Sequence, residues 1–206
     1  MVDVQTDDGG FQWLQRELAE LDRYSLQIGI FGEDDSFYVM IANVHEFGMT
    51  IKAKKRFLVI PLKKEYKDVD PKTLDLFFLR TKEGHNFLCK NVGKDRIEFC
   101  YMLAKSVTIP ERSFIRSAFD EKNDEWMDFL ERKIEKLCDM EIDAKTVFEN
   151  LGARIAGDIQ EKIRNIRSPK NSPITVRNKG TDNPLIDTGE LRRHVTWKLV
   201  RDDDLV

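Results

Sequence analysis

Apolar residues recur with a helical period at both ends of the chain and with a period of two in its middle, and these two rhythms predict the elements. Phe11, Leu14, Leu18 and Leu21 stand three or four apart, with Gln12, Arg16, Glu17 and Glu20 on the opposite side. That spacing predicts a short amphipathic helix. From residue 24 to 31 the period drops to two, with Leu26, Ile28 and Ile30 alternating against Gln27, Gly29 and Phe31, as a half-buried strand requires. Helical spacing returns over residues 37–47 through Val39, Met40, Ala42, Val44 and Phe47, and Gly48 is placed to end that helix.

Residues 50–106 read as a β-rich insertion. A basic run over residues 51–56 precedes short apolar strands at 57–60, 76–79, 86–90 and 97–103, separated by turn signals at Asp70-Pro71, Glu83-Gly84 and Gly93-Lys94. In the last strand, Ile97, Phe99, Tyr101 and Leu103 are expected on one face. The segment Ile109-Pro-Glu-Arg-Ser-Phe114 then breaks the sheet and launches a long helix striped by Ile115, Phe119, Trp126, Leu130, Ile134 and Leu137. After a break at residues 140–143 a second long helix carries Val147, Leu151, Ile155, Ile159, Ile163 and Ile166, with Gly152 and Ala156 permitting close approach. The fold class is therefore α+β: an antiparallel sheet with a β-rich insertion and a long two-helix hairpin packed on it, in one domain over residues 1–206.

The stretch from Arg167 to Val200 has a different texture. Pro169, Pro173 and Pro184, two glycines and many Asn, Asp, Ser and Thr residues make its first part a constrained, shaped loop. Asp187-Thr-Gly-Glu190 reads as a capped helix start, with Glu190 able to reach back to the cap. A short helix and a strand with Val195, Trp197 and Leu199 on one face complete it.

Bulk composition narrows the function classes. The 206 residues are 41% hydrophobic and 34% charged, with 34 basic and 37 acidic residues for a formal charge of -3, so bulk attraction to nucleic acid is not indicated. The acidic first residues have no apolar run behind them and read as no signal peptide, and no stretch has the apolar length of a membrane span. Residues 1–10 and the acidic 202–206 read as polar tails. Cys89, Cys100 and Cys138 are odd in number, lack metal-ligand spacing and read as reduced thiols.

Catalysis is not expected, and no cofactor or metal is called for. His45 and Glu46 are adjacent and so point to different helix faces; His45 reads as a satisfied boundary histidine. Asp182 fits a turn initiator and Asp187 a cap. His85 sits in a turn, and His194 at a helix-to-strand junction. Trp126, Phe119 and Phe129 read as core. Lys162, Arg164, Arg167, Lys170, Arg177 and Lys179 face only Glu161 from residue 161 to 180, so a nucleic-acid module over 162–179 is one alternative, weakened by the lack of aromatic residues there. A metal-dependent hydrolase built from His45, Glu46, Asp187 and His194 is the remoter one.

The blocks Glu46-Phe47-Gly48 (preceded by His45), Ile109-Pro110 through Arg112 and Phe114 to Arg116, Arg177-Asn-Lys179-Gly180, and Pro184-Leu185-Ile186-Asp187-Thr188-Gly189-Glu-Leu191, in this order, resemble the signature of tail-completion and virion-morphogenesis proteins of tailed bacteriophages, including neck proteins of the HK97 type and the related Mu and P2 tail-completion proteins. The resemblance spans about residues 25–200, and its last block is the most specific. It implies a non-enzymatic virion part at the head-tail junction, assembled in the host cytoplasm. The implied partners are the tail terminator, the head-tail connector or adaptor and the tail-tube protein, with DNA in the channel and no membrane. By analogy the protein forms a homo-oligomeric ring of six copies. The motif residues, with the loop from Arg167 to Pro184 as an interaction arm, would make these contacts.

Overall fold

The computed structural model describes residues 9–33 and 35–201, so the two polar tails read from the sequence lie mostly outside the described residues. The fold is α+β, with antiparallel pairing throughout its sheets. The chain divides into two compact units: Met1–Ala42, Ser113–Asn165 and Thr188–Val206 in one, Asn43–Arg112 and Ile166–Asp187 in the other. The second unit is wider than the insertion read at 50–106, because it also takes in the end of a helix and the proline-rich segment.

The first unit contains α1 (Gly9–Leu21), β1 (Tyr24–Gly29), the start of α2 (Ser36–Phe47), α3 (Ile115–Cys138), α4 (Ala144–Asn165), α6 (Glu190–Arg193) and β8 (Thr196–Arg201); α5 belongs to the other unit. Helices α3 and α4 form the expected antiparallel hairpin: Trp126 donates to Asp158 (2.7 Å), Glu121 pairs with Lys162, and Glu125 with Arg154 (3.7 Å). Only α4 is packed extensively on the β1–β8 ribbon. Its every-fourth-residue stripe of Val147, Leu151, Ile155, Ile159 and Ile163 is buried, as the period demands. Asp143 caps α4 by accepting from the Thr146 amide (2.8 Å), the Thr146 hydroxyl and then this amide hold its carboxyl below the usual range, and Glu17 of α1 accepts from the Ala144 amide (3.0 Å). Two aromatic expectations fail or weaken here. Phe119 is 56% exposed and Phe129 only half-buried, because that stripe drifts off the face that α4 covers. Trp126 is buried.

The second unit contains β2 (Met49–Lys52) paired with β7 (Ser106–Ile109), and a four-stranded sheet in the order β3-β6-β5-β4, formed by Leu58–Pro61, Ile97–Ala104, Asn86–Asn91 and Phe77–Arg80. The four interior strands lie where alternation put them. The β2–β7 pair went unread because its sequences, Met-Thr-Ile-Lys and Ser-Val-Thr-Ile, are four residues long and half polar. The facing of β6 also differs from expectation. Leu88 pairs with Tyr101 and Cys89 with Phe99, so Cys100 is an extra residue on β6. This bulge resets the alternation: Cys100 and Tyr101 are both buried, whereas Ile97 is 50% and Phe99 40% exposed. Tyr66, Cys100 and Tyr101 then make the core of this unit with Leu74, Leu76 and Leu88 around them, and the Tyr101 hydroxyl donates to the Val69 carbonyl (3.1 Å).

Gly152 marks the closest approach of α4 to β8. A Cβ there would lie 2.7 Å from the Trp197 indole, closer than real Cβ atoms come. Gly152→Ala should therefore destabilise by about 1–3 kcal/mol in urea unfolding, net of the gain of about 1 kcal/mol that alanine brings to a helix. Combining it with Trp197→Leu should recover part of that loss.

Candidate protein-interaction site

Gly48 ends α2 with φ +69, and a Cβ there would also sit 2.9 Å from the Glu111 amide nitrogen and 3.2 Å from the Ile109 carbonyl, so both conformation and space call for glycine. That close approach lays residues 109–112 along the end of the helix. The Arg112 amide donates to the His45 carbonyl (2.7 Å), and the Arg112 side chain is 4% exposed.

The buried guanidinium holds the proline-rich segment. Its Nε donates to the Pro169 carbonyl (2.7 Å), and one Nη donates to the Lys170 carbonyl and to Asn171 Oδ1, both at 3.2 Å. A rigid planar fork satisfies three acceptors at fixed angles, which a lysine ammonium cannot do. Asn171 in turn donates to the Asn183 carbonyl (3.4 Å). The stretch read as a loop contains a two-turn helix, α5 (Pro173–Lys179): Ser172 accepts from the Thr175 amide (3.2 Å), Pro173 opens the helix, and Gly180 closes it at φ +77. Asn178 of α5 donates to the Pro61 carbonyl (3.0 Å). Lys179 folds back to donate to the carbonyls of Asn183 (3.0 Å) and Pro184 (3.2 Å). In the turn expected at Asp182-Asn183-Pro184 the side chain that makes it is Asn183, accepting from the amides of Leu185 (3.1 Å) and Ile186 (3.2 Å).

The electrostatics follow from this geometry. Burial lowers the proton affinity of Lys179, opposed by Asp187 and reinforced by Arg112. Burial, then the charges of Arg112 and Lys179, push His45 down to about 4. The His45 Nδ1 is buried with no hydrogen-bond partner, so the satisfied histidine read from the sequence is not what forms. A neutral ring tolerates that position and a charged one does not.

Among the sequence-derived site residues, Glu46, Phe47, Gly48, Pro110, Arg112, Lys179, Gly180, Pro184, Leu185, Ile186 and Asp187 fall in this unit; Phe114, Thr188, Gly189 and Leu191 fall in the other. Glu46 and Leu185 are buried, Phe47 is 61% exposed, and Phe114 and Leu191 are core residues of their unit. The capping box expected at Asp187–Glu190 does not form. Gly189, at φ +89, occupies the cap position with no side-chain cap, and the Glu190 amide meets Thr188 Oγ1 at 3.4 Å. The basic set of 162–179 is divided between the units, Lys162 pairing with Glu121, Arg164 with Glu161 and Lys179 with carbonyls. His45, Glu46, Asp187 and His194 form no metal-holding group among the described residues; His194 stacks on Tyr38 and its Nδ1 meets the Glu190 carbonyl (2.8 Å).

Sequence reasoning missed a groove of about 460 Å³ beside α5, lined by Leu62, Lys63, Val92, Ile97, Phe99 and Arg177 among others. Part of its apolar lining, Ile97 and Phe99, lies on β6 beside the bulge, which no alternation rule signals. Comparison with known proteins returned no match: no family model, no curated protein and no solved structure is similar to this chain.

Two measurements probe the Arg112 clamp. Arg112→Met should cost about 3 kcal/mol or more in urea unfolding, since bonds from a charged donor contribute about 1.5–3 kcal/mol each without full additivity, and Arg112→Lys should recover less than half of it. His45 takes up its proton near 6.5 in the unfolded chain and near 4 in the fold, so the unfolded state binds more protons in that window. Stability should be complete above pH 6.5, fall by at most about 1.4 kcal/mol per unit as the pH drops towards 4, and level off below. His45→Gln should flatten that segment of the curve.

Proposed function

We propose that this protein is a structural part of a tailed-phage particle that completes the tail and joins it to the head, acting through protein contacts at the head-tail junction. The supporting observation is the groove beside α5: exposed Ile97 and Phe99 of β6, half-buried Leu62 after β3 and the exposed cation Arg177 of α5 line it, and the α5 segment is already tied down by Arg112, Asn178 and Lys179. Exposed apolar side chains on a pre-ordered frame favour docking, because little conformational entropy remains to be lost on binding. The resemblance of the Glu46–Gly48, Pro110–Phe114 and Lys179–Leu191 blocks to tail-completion proteins gives that docking its setting. The partners on this reading are the tail terminator, the connector and further copies of the chain in a ring.

The test is complementation of a phage or prophage lacking this gene with Ile97→Asp/Arg177→Glu. Both positions are exposed, so the unfolding midpoint should stay within about 0.5 kcal/mol of the parent. Electron microscopy of lysates should show filled heads and finished tails unjoined and infectious titre reduced at least a hundredfold. Normal particles from the variant would remove the assigned role.

A further inference from the structure

We infer that a second site, at the junction of β2 and β7, binds the phosphate backbone of duplex nucleic acid without reading its bases. Pairing of β2 with β7 places Lys52 opposite Ser106, and the Ala53 amide donates to the Lys105 carbonyl (2.9 Å). This pairing brings Lys105 from a distant part of the chain beside the run Lys52, Lys54, Lys55 and Arg56. Lys52, Lys55, Arg56, Lys105 and Ser106 line a recess of about 340 Å³ with Ala53. All five cations, Lys54 included, are exposed, and among the described residues none has a side-chain hydrogen bond or an ion pair.

That set differs from three other cations of the unit. Lys63 and Lys90 are both paired with Glu98, whose carboxyl they hold at about 2, and Lys179 is spent on backbone carbonyls. Those charges are structural. The five at the β2–β7 junction form no ion pair among the described residues, Arg56 meeting only the Phe57 ring at 5.6 Å from its centroid, and their mutual repulsion is relieved by counterions or by an anionic ligand. In a chain of net charge -3 such a cluster is a local exception to the bulk balance. A polyanion with closely spaced charges displaces several counterions at once, which is the favourable term in backbone binding to nucleic acid. The cations surround a recess, and a phosphodiester strand can enter a concavity that a plane of lipid headgroups cannot. The inference stands independently of the assembly role.

The test is fluorescence anisotropy of the full chain with a labelled 30-base-pair duplex of random sequence, titrated from 50 to 300 mM NaCl. The logarithm of the binding constant against that of salt should be linear with slope about -3 to -4.5, as three to five neutralised phosphates give. Lys55→Gln/Arg56→Gln/Lys105→Gln should flatten the slope by about 3 and weaken binding at least tenfold at 100 mM NaCl. Its circular dichroism should match the parent and its unfolding stability stay within about 1 kcal/mol, since among the described residues the three side chains form no ion pair and only Arg56 meets another group, the Phe57 ring. Arg164→Gln/Arg167→Gln should leave slope and affinity unchanged. No binding at 50 mM NaCl, a salt-independent affinity, binding retained by the triple variant, or binding lost in the Arg164/Arg167 variant would each overturn the assignment. So would tighter binding to polyglutamate or to phosphatidylserine vesicles than to the duplex at equal salt.

Discussion

The second unit depends on a cation buried where its chain leaves and on the carbonyls waiting where the chain returns. Arg112 is the last residue of the segment Asn43–Arg112, and its acceptors Pro169, Lys170 and Asn171 lie at the start of Ile166–Asp187. Between those two segments the chain, Ser113–Asn165, belongs to the other unit. Closing so long an excursion costs configurational entropy that no local hydrogen bond recovers, so the returning segment needs strong non-local anchors. A charged donor with three acceptors is such an anchor, and the Asn178 bond to the Pro61 carbonyl is a second.

Burying a guanidinium is costly unless its donors are occupied, and the proline-rich sequence answers that need. A proline carbonyl cannot be consumed by a helix that the residue itself would break, so Pro169 offers its oxygen outright. Ser172, itself in extended backbone, and Pro173 then start α5 directly after the acceptors, so the Lys170 carbonyl and the Asn171 side chain precede the helix and meet Arg112. The positive environment spreads from there. Lys179 and Arg112 together make the neighbouring His45 resist protonation, and that histidine keeps an unpartnered nitrogen at the end of α2 because a neutral ring costs less there than an added charge.

How much of this was legible in the sequence depended on the range of the interaction involved. Helix α4 and strands β1, β4 and β5 follow from periodicity, because each presents one apolar face to one partner. The ends of α2 and of α5 rest on glycines at positive φ, and Ser172-Pro173 followed by Gly180 spells a short helix that the density of turn-forming residues around it obscured. The bulge at Cys100 had no sequence signal, because a bulge is chosen by the partner strand and not by the strand that carries it. Arg112 was legible as a motif residue, but its acceptors were not, since backbone carbonyls have no sequence identity. At Asp187–Glu190 the capping-box residues are present in order, yet Gly189 in the left-handed region takes the cap position and leaves the Thr188 hydroxyl only a long contact.

Charge in this unit is divided by burial, and the division separates what holds the fold from what remains available to a partner. Arg112 and Lys179 are withdrawn from solvent and bonded to carbonyls, so removing either leaves stranded acceptors and is felt as instability. Arg177 and the cations around the β2–β7 junction are exposed and bonded to nothing among the described residues, so changing them costs the fold little. A sequence count that adds all these cations together, as in the basic set of residues 162–179, mixes the two kinds. The useful count is of exposed, uncompensated charge. By that measure the β2–β7 junction, which the sequence marked only as a basic run before an insertion, carries a dense cationic surface, and the groove lined by Leu62, Ile97 and Phe99 an apolar one.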